Sequence, residues 1–224
     1  MKTAIIIPAY NEEKYIYDTL TSIKTIKNAD VIVVDDGSTD NTADIVKSMD
    51  DIILLSYGSN KGKGYALNYA LEYCKNEYDI IGFVDADLSY SASEAIKLLD
   101  VLLSEEADVS IARFPKAKRK GGFGFVKALA FYGIKFFTGK EIYSGLSGQR
   151  FFKTEVLRKI GKIPYGYGVE VGMTIDILKM GYIIKEVDVN MIHNETGRDI
   201  SGFKHRFRQF YHILLILFKK LIGL

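Results

Sequence analysis

The chain has 224 residues, 48% of them apolar and 26% charged, which suits one folded domain with a sizeable core and excludes a disordered or fibrous chain. A formal charge of +2 gives no strongly basic face, so nucleic acid is not an expected partner. A single cysteine, Cys74, rules out an intrachain disulfide and makes a reducing, cytoplasmic setting the expectation.

In chain order, "TAIIIP" predicts a first strand that stops at Pro8. Its apolar run is too short for a signal peptide, and no later segment reaches the ~18 to 20 apolar residues that span a bilayer. "EEKYIYDTLTSIK" has helical spacing, "DVIVVD" reads as a second strand, and "DIILLS" as a third. "GYALNYALEYC" predicts a helix that packs Cys74 as a small apolar group. "DIIGFVD" and "DVSIAR" are the fourth and fifth strands. Strands without polar alternation, joined by helices, predict an α/β fold with a mostly parallel central sheet covered on both faces. After Arg113, "FPKAKRKGG" reads as a loop and "FGFVKALAFYGIKFFTG" as an aromatic-rich helix. "SGLSGQRFF" is a turn entering a short strand, "GVEVGMTIDILKMG" a helix closed by Gly181, "YIIKEVDVNMI" a strand and "HNETGRDISG" a loop. The expected organisation is one domain over residues 1–203 and an apolar, basic helix over 204–224.

Three strand ends carry carboxylates. "IPAYNEE" ends the first, "VVDDGSTDNT" the second and "VDADLS" the fourth. In a parallel α/β sheet, ligands bind outside the carboxyl ends of the strands. Asp85 and Asp87 point the same way if the fourth strand extends that far, and two such carboxylates repel unless a cation lies between them. Mg²⁺ or Mn²⁺ takes one or two carboxylates and completes its shell with water and substrate phosphates. Helix caps and a solvated strand end would use the same residue types, and a lone D-x-D is a weak pattern.

Taken together, "IPAYNEE", "VVDDGSTD", "NKGKGYAL" and "VDADLS", followed by "SGLSGQR", "GYGVEVGMTID" and "EVDVNMIH", resemble the family 2 glycosyltransferases of GT-A fold over roughly residues 3–200. Within that family the motifs are similar to those of the glucosyl-3-phosphoglycerate synthases and, in part, of the polyprenyl-phosphate sugar synthases. The resemblance implies transfer of a sugar, glucose by preference, from a nucleoside diphosphate, UDP by preference. It implies that Pro8, Ala9, Tyr10, Glu12 and Asp36 line the nucleotide pocket, that Lys63 contacts the donor, and that Ser147 and Gly148 lie beside it. Asp85, Asp87 and His193 would hold Mg²⁺ or Mn²⁺ against the diphosphate. Glu170 would hold hydroxyls of the sugar or acceptor, although a carboxylate there also complements a helix N-terminus. Arg198, with Arg206, would add positive charge against the leaving group, although a solvated loop would also place arginines there. A non-catalytic nucleotide- or lipid-binding module is the rival reading. An aspartate-nucleophile phosphatase would need its D-x-D on the first strand.

The chain departs from the synthases where they bind phosphoglycerate, because Phe123 and Phe125 stand where polar residues are expected. The tail carries an apolar run, Ile213 to Phe218, with Arg206 and Arg208 before it and Lys219 and Lys220 after it. Such a helix either lies in a membrane interface, serving a lipid-linked acceptor at the inner face of the cell membrane, or packs on its own domain or across a homodimer. Against the polyprenyl-phosphate synthases, Ser144 stands where they carry Asp and Asn194 where they carry a loop arginine.

Overall fold

The computed structural model describes residues 1–74, 77–115, 124–164, 166, 168–192 and 200–222, the last range with side chains from 207 onward. Strands β1 (Thr3–Ala9), β2 (Ala29–Asp35), β3 (Ile52–Ser56), β4 (Ile80–Phe83), β5 (Val109–Arg113), β6 (Arg150–Lys153) and β7 (Ile184–Asp188) form one sheet. Their order is β3-β2-β1-β4-β6-β5-β7. β6 runs antiparallel to β4 and β5, and the other neighbours are parallel.

The unbroken apolar runs of β1 and β2 follow from burial on both sides. Ile6 and Ile32 face one core, whereas Ile5, Ile7, Val31 and Val33 face the other, all 4% exposed or less. Each such side chain is worth about 1.5 to 3 kcal/mol when removed from water. Helices α1 (Ile16–Ile23), α2 (Thr42–Lys47) and α4 (Ile96–Leu103) cover the second face. Helices α3 (Lys63–Cys74), α5 (Phe125–Thr138), α6 (Thr154–Ile160), α7 (Val169–Lys179) and α8 (Ile200–Leu221) cover the first. Cys74 is fully buried in that layer, and burial pushes its thiol up to about 12, so it behaves as a packed apolar group.

Two features of this architecture position the site. The chain runs outward from β1 through β2 to β3, then returns to β4 on the other side of β1, which opens a crevice at the carboxyl ends of β1 and β4. Because β6 is reversed, its first residue, Arg150, pairs with Phe83, the last residue of β4. The segment entering β6, residues 144–149, therefore arrives at the same edge as the turns leaving β1, β2 and β4.

Two expectations are corrected. β4 stops at Phe83, so Asp85 and Asp87 leave the sheet on a turn and are not brought together by strand alternation. β7 covers only Ile184–Asp188 of the longer stretch expected. Helix α8 begins at Ile200 and packs on α5 and α7, and Ile213 is fully buried in the main core.

Candidate active site

A cleft of about 290 Å³ opens at the switch point and is lined by Pro8, Ala9, Tyr10, Glu12, Asp36, Lys63, Asp85, Ala86 and Asp87. Every residue expected from the first four motifs to meet the donor or a cation is in this wall. A larger hollow of about 500 Å³ lies between α3 and α6 and shares none of these residues.

The turn leaving β1 passes through Asn11, which adopts φ +56. Its side chain accepts a hydrogen bond from the Thr39 N–H at 2.8 Å, and its own N–H donates to Ser38 Oγ at 3.0 Å. One residue on, the Glu12 N–H donates to Thr42 Oγ1 at 2.8 Å. The β1 and β2 turns are thus joined through groups that would otherwise be unpaired backbone. Glu12 sits over the cleft, where burial and then the charges of Asp87, Asp85 and Asp40 raise its pKa to about 7. Burial contributes most to that rise, and the neighbouring carboxylates add to it.

Asp36 is 3% exposed and holds the far wall. Its carboxylate accepts from the Tyr57 hydroxyl at 2.8 Å, the Lys61 N–H at 2.7 Å and the Gly62 N–H at 2.8 Å. It therefore orders the loop that carries Lys63, besides lining the cleft. Burial and the Asp36 carboxylate push the Tyr57 hydroxyl well above the usual tyrosine range, so it stays a donor. Gly37 is required beside it. A Cβ there would lie 2.6 Å from the Ser59 backbone, and φ is +72.

Lys63, the first residue of α3, contacts Asp85 Oδ1. Burial disfavours its ammonium, but Asp85, Glu170 and Asp87 outweigh that and hold its pKa above the ordinary lysine value. The other oxygen of Asp85 accepts from the Gln149 side-chain amide, while the Asp85 N–H donates to Gln149 Oε1 at 2.8 Å. Gln149 is 3% exposed and spends both ends of its amide on one aspartate. Gly148 lets this segment in, since a Cβ there would sit 2.7 Å from Lys63 Nζ. The Ser147 hydroxyl is buried without a hydrogen-bond partner among the described residues.

Arg150 anchors the segment from beneath. It is 2% exposed and donates to the carbonyls of Ser147 at 2.7 Å and Gly145 at 2.8 Å, and to Thr174 Oγ1 on α7 at 2.9 Å. Burial lowers its pKa to about 10, partly offset by Glu170 and Glu186. Glu170 lies in the first turn of α7, close enough to act on both Lys63 and Arg150. His193 and Arg198 lie outside the described residues, as does the Arg206 side chain. Gln149, Arg150 and Tyr57 were not singled out from sequence. A Gln–Arg pair entering an apolar strand, "GQRFF", is the pattern that could have drawn attention to two of them.

Hard oxygen donors converging on a cleft, with Glu12 pushed toward its neutral form by burial and then by its acidic neighbours, fit Mg²⁺ or Mn²⁺. Among the described residues no group of three or more His, Cys, Asp or Glu is placed to hold a metal by itself. Two carboxylates with a substrate diphosphate is the arrangement these side chains suit.

Residues 4–161 match the family model described as Glycosyl transferase family 2. The chain belongs to that family. An uncharacterised protein of Methanocaldococcus jannaschii is 31% identical over 218 residues, covering 91% of this chain and 89% of that protein. A UDP-N-acetylglucosamine–dolichyl-phosphate N-acetylglucosaminyltransferase of Methanococcus voltae is 26% identical over 250 residues and covers 97% of each. Among solved structures, the glucosyl-3-phosphoglycerate synthase of Mycobacterium tuberculosis, in complex with Mn²⁺, UDP and phosphoglyceric acid, superposes with a TM-score of 0.78. It covers 96% of this chain and 77% of that one at 24% identity, which establishes the shared fold. As a family 2 member, the protein is a nucleotide-sugar-dependent glycosyltransferase.

Proposed function

We propose that this glycosyltransferase depends on a divalent cation and moves a sugar, glucose by preference, from UDP to a lipid-linked acceptor at the cytoplasmic face of a membrane. The observation that carries the donor half is the meeting of Glu12, Asp36, Lys63, Asp85 and Asp87 in one cleft. In this reading Pro8, Ala9, Tyr10 and Asp36 receive the base and ribose. Lys63 turns from Asp85 to the diphosphate, and Asp85 and Asp87, with His193, hold Mg²⁺ or Mn²⁺. The cation, when bound, stabilises the negative charge that develops on the leaving diphosphate. Gln149 keeps Asp85 aimed, Ser147 and Gly148 border the donor, and Glu170 holds hydroxyls of the sugar or acceptor. Arg198 adds positive charge at the leaving group. The M. tuberculosis synthase, solved with Mn²⁺ and UDP, supports the choice of cation and nucleotide.

Support for a lipid-linked acceptor comes from the name of the M. voltae relative and from the apolar start of α5, where Phe125 is 67% exposed. A polyprenyl-phosphate mannosyl or glucosyl synthase using GDP- or UDP-sugar is the second reading, favoured by the same surface. Titration calorimetry with UDP and with GDP, each with Mn²⁺ and then with chelator, tests the donor and the cation, and a preference for GDP leaves only the second reading. UDP should bind with Mn²⁺ and lose affinity on chelation, and Asp87→Asn should lose the metal-dependent part while the protein still unfolds at the wild-type temperature. Binding of GDP over UDP selects the second reading. Full activity in Asp87→Asn would remove the cation assignment.

A further inference from the structure

We propose that the solvent face shared by α5 and α8 is a docking surface for an anionic lipid bilayer. It deepens the lipid-acceptor reading and rests on it, but it is carried by its own geometry. Helix α8 turns Ile213 into the core, Ile216 toward Gly172 of α7 and Leu217 against Gly133 of α5. Tyr211, Leu214, Phe218 and Leu221 recur at spacings of three and four residues, so they share one stripe, on the Leu217 side of the buried face. On α5, Tyr132 and Phe136 share a stripe beside Gly133, the residue that meets α8. These six side chains are between 47% and 73% exposed, and they border the α5–α8 seam as one apolar strip. Contiguous exposed apolar side chains of this kind mark an interaction surface.

Charge decides the occupant. The 14 residues of α5 and 22 of α8 hold seven of the chain's 30 basic residues and none of its 28 acidic ones. The net +2 thus divides into +7 on these two helices and −5 on the remainder. Lys135 and Lys220 are paired with Glu141 and Asp176, while Arg208 and Lys219 are exposed beside the apolar strip. A second copy docked across a two-fold axis would bring like charge against like charge. An anionic bilayer receives both the apolar strip and its cationic border. No helix among the described residues is long and apolar enough to cross a membrane, so α8 would lie along the surface.

The strip is also placed for a substrate that stays in the membrane. The same helices back the segments that enter β6 and α7, where Ile134 of α5 fills the space at Gly145, and Ile213 of α8 fills the space at Gly168, two residues before Glu170. A lipid-anchored acceptor would need only its head group to reach past these segments to Glu170.

The test sediments the full-length protein with vesicles of phosphatidylglycerol and phosphatidylcholine, and with phosphatidylcholine vesicles alone. The protein should pellet with the anionic vesicles and be released by salt. A triple variant, Leu214→Gln, Phe218→Gln and Leu221→Gln, should bind roughly tenfold more weakly. Leu103→Gln, at a similarly exposed position on α4, should bind as the wild type does. A pair of charge reversals, Arg208→Glu with Lys219→Glu, should abolish the preference for anionic lipid. Thermal unfolding of each variant, followed by circular dichroism, reports whether the fold survives, and the charge-reversed protein tests the surface if the triple variant does not fold. Wild-type protein that stays in the supernatant, or folded variants that pellet as the wild type does, would overturn the proposal. So would a solution dimer that the triple variant converts to monomer without any vesicle binding, because a second copy would then own the face. Vesicle binding without sugar transfer to any polyprenyl phosphate would leave the surface standing and remove the lipid acceptor.

Discussion

Gln149 shows how much of the cleft depends on a residue that need not touch a substrate. Both ends of its amide hold Asp85, so Gln149→Leu would remove the acceptor of the Asp85 N–H and the donor to its Oδ2. Outer-shell partners of this kind typically change metal affinity about 10- to 100-fold. The Mn²⁺ concentration for half-maximal UDP binding should rise by that order in Gln149→Leu, read by calorimetry. An unchanged concentration would mean that Asp85 is aimed by something else. Periodicity could locate Asp85 and Asp87 at a strand end, and motif order could locate Glu12, Asp36 and Lys63. The direction of a buried amide has no periodic trace, because it is settled by a neighbour 64 positions away.

Glu12 gives a second prediction at this scale. Its pKa of about 7 in the folded protein, against an ordinary value of 4.5, means that the folded state holds a proton that the unfolded state has released. Stability should therefore fall as pH rises from about 4.5 to about 7 and level off above. Relative to Glu12→Gln, which cannot titrate, the wild type should lose about 1 to 2 kcal/mol across that window, allowing for solvent in an open cleft. Urea unfolding of both proteins between pH 5 and pH 8 checks the sign. Parallel curves would show that Glu12 ionises normally.

At the scale of elements, the tail helix is part of the core whatever its outer face meets. Ile213 has no exposed surface and contacts the Gly168 turn, so Ile213→Ala should cost roughly 2 to 4 kcal/mol. Urea unfolding monitored by fluorescence of the tyrosines checks this, and an unchanged midpoint would mean that α8 is detachable. Its sequence, apolar in the middle with cations at either end, fits both packing and membrane contact. The structure shows how one helix does both, with Ile213, Ile216 and Leu217 turned inward and Leu214 and Phe218 outward. The five front strands were readable because each centres on a short apolar run, broken in β5 only by the buried Ser110. The antiparallel insertion of β6 between β4 and β5 was not, since four residues, "RFFK", carry no mark of direction and their partners are chosen by tertiary fit.

Across the whole molecule, the reversal of β6 divides the work between two lengths of chain. The cleft wall comes entirely from residues 8–87, on the turns that leave β1, β2 and β4 and on the start of α3. Ser147 to Gln149, which reach Lys63 and Asp85, and Glu170 come from the segments around β6 and α7, backed by α5 and α8. The two lengths are joined along the β4–β6 ladder and through the core, and at the cleft chiefly by Gln149 on Asp85 and Lys63 beside Gly148. Substitutions beyond Arg113 that keep the ladder, the core and those cleft contacts could therefore accumulate without disturbing the cleft wall. On the proposed reading, a chain built this way can exchange what it glycosylates while inheriting its sugar donor unchanged.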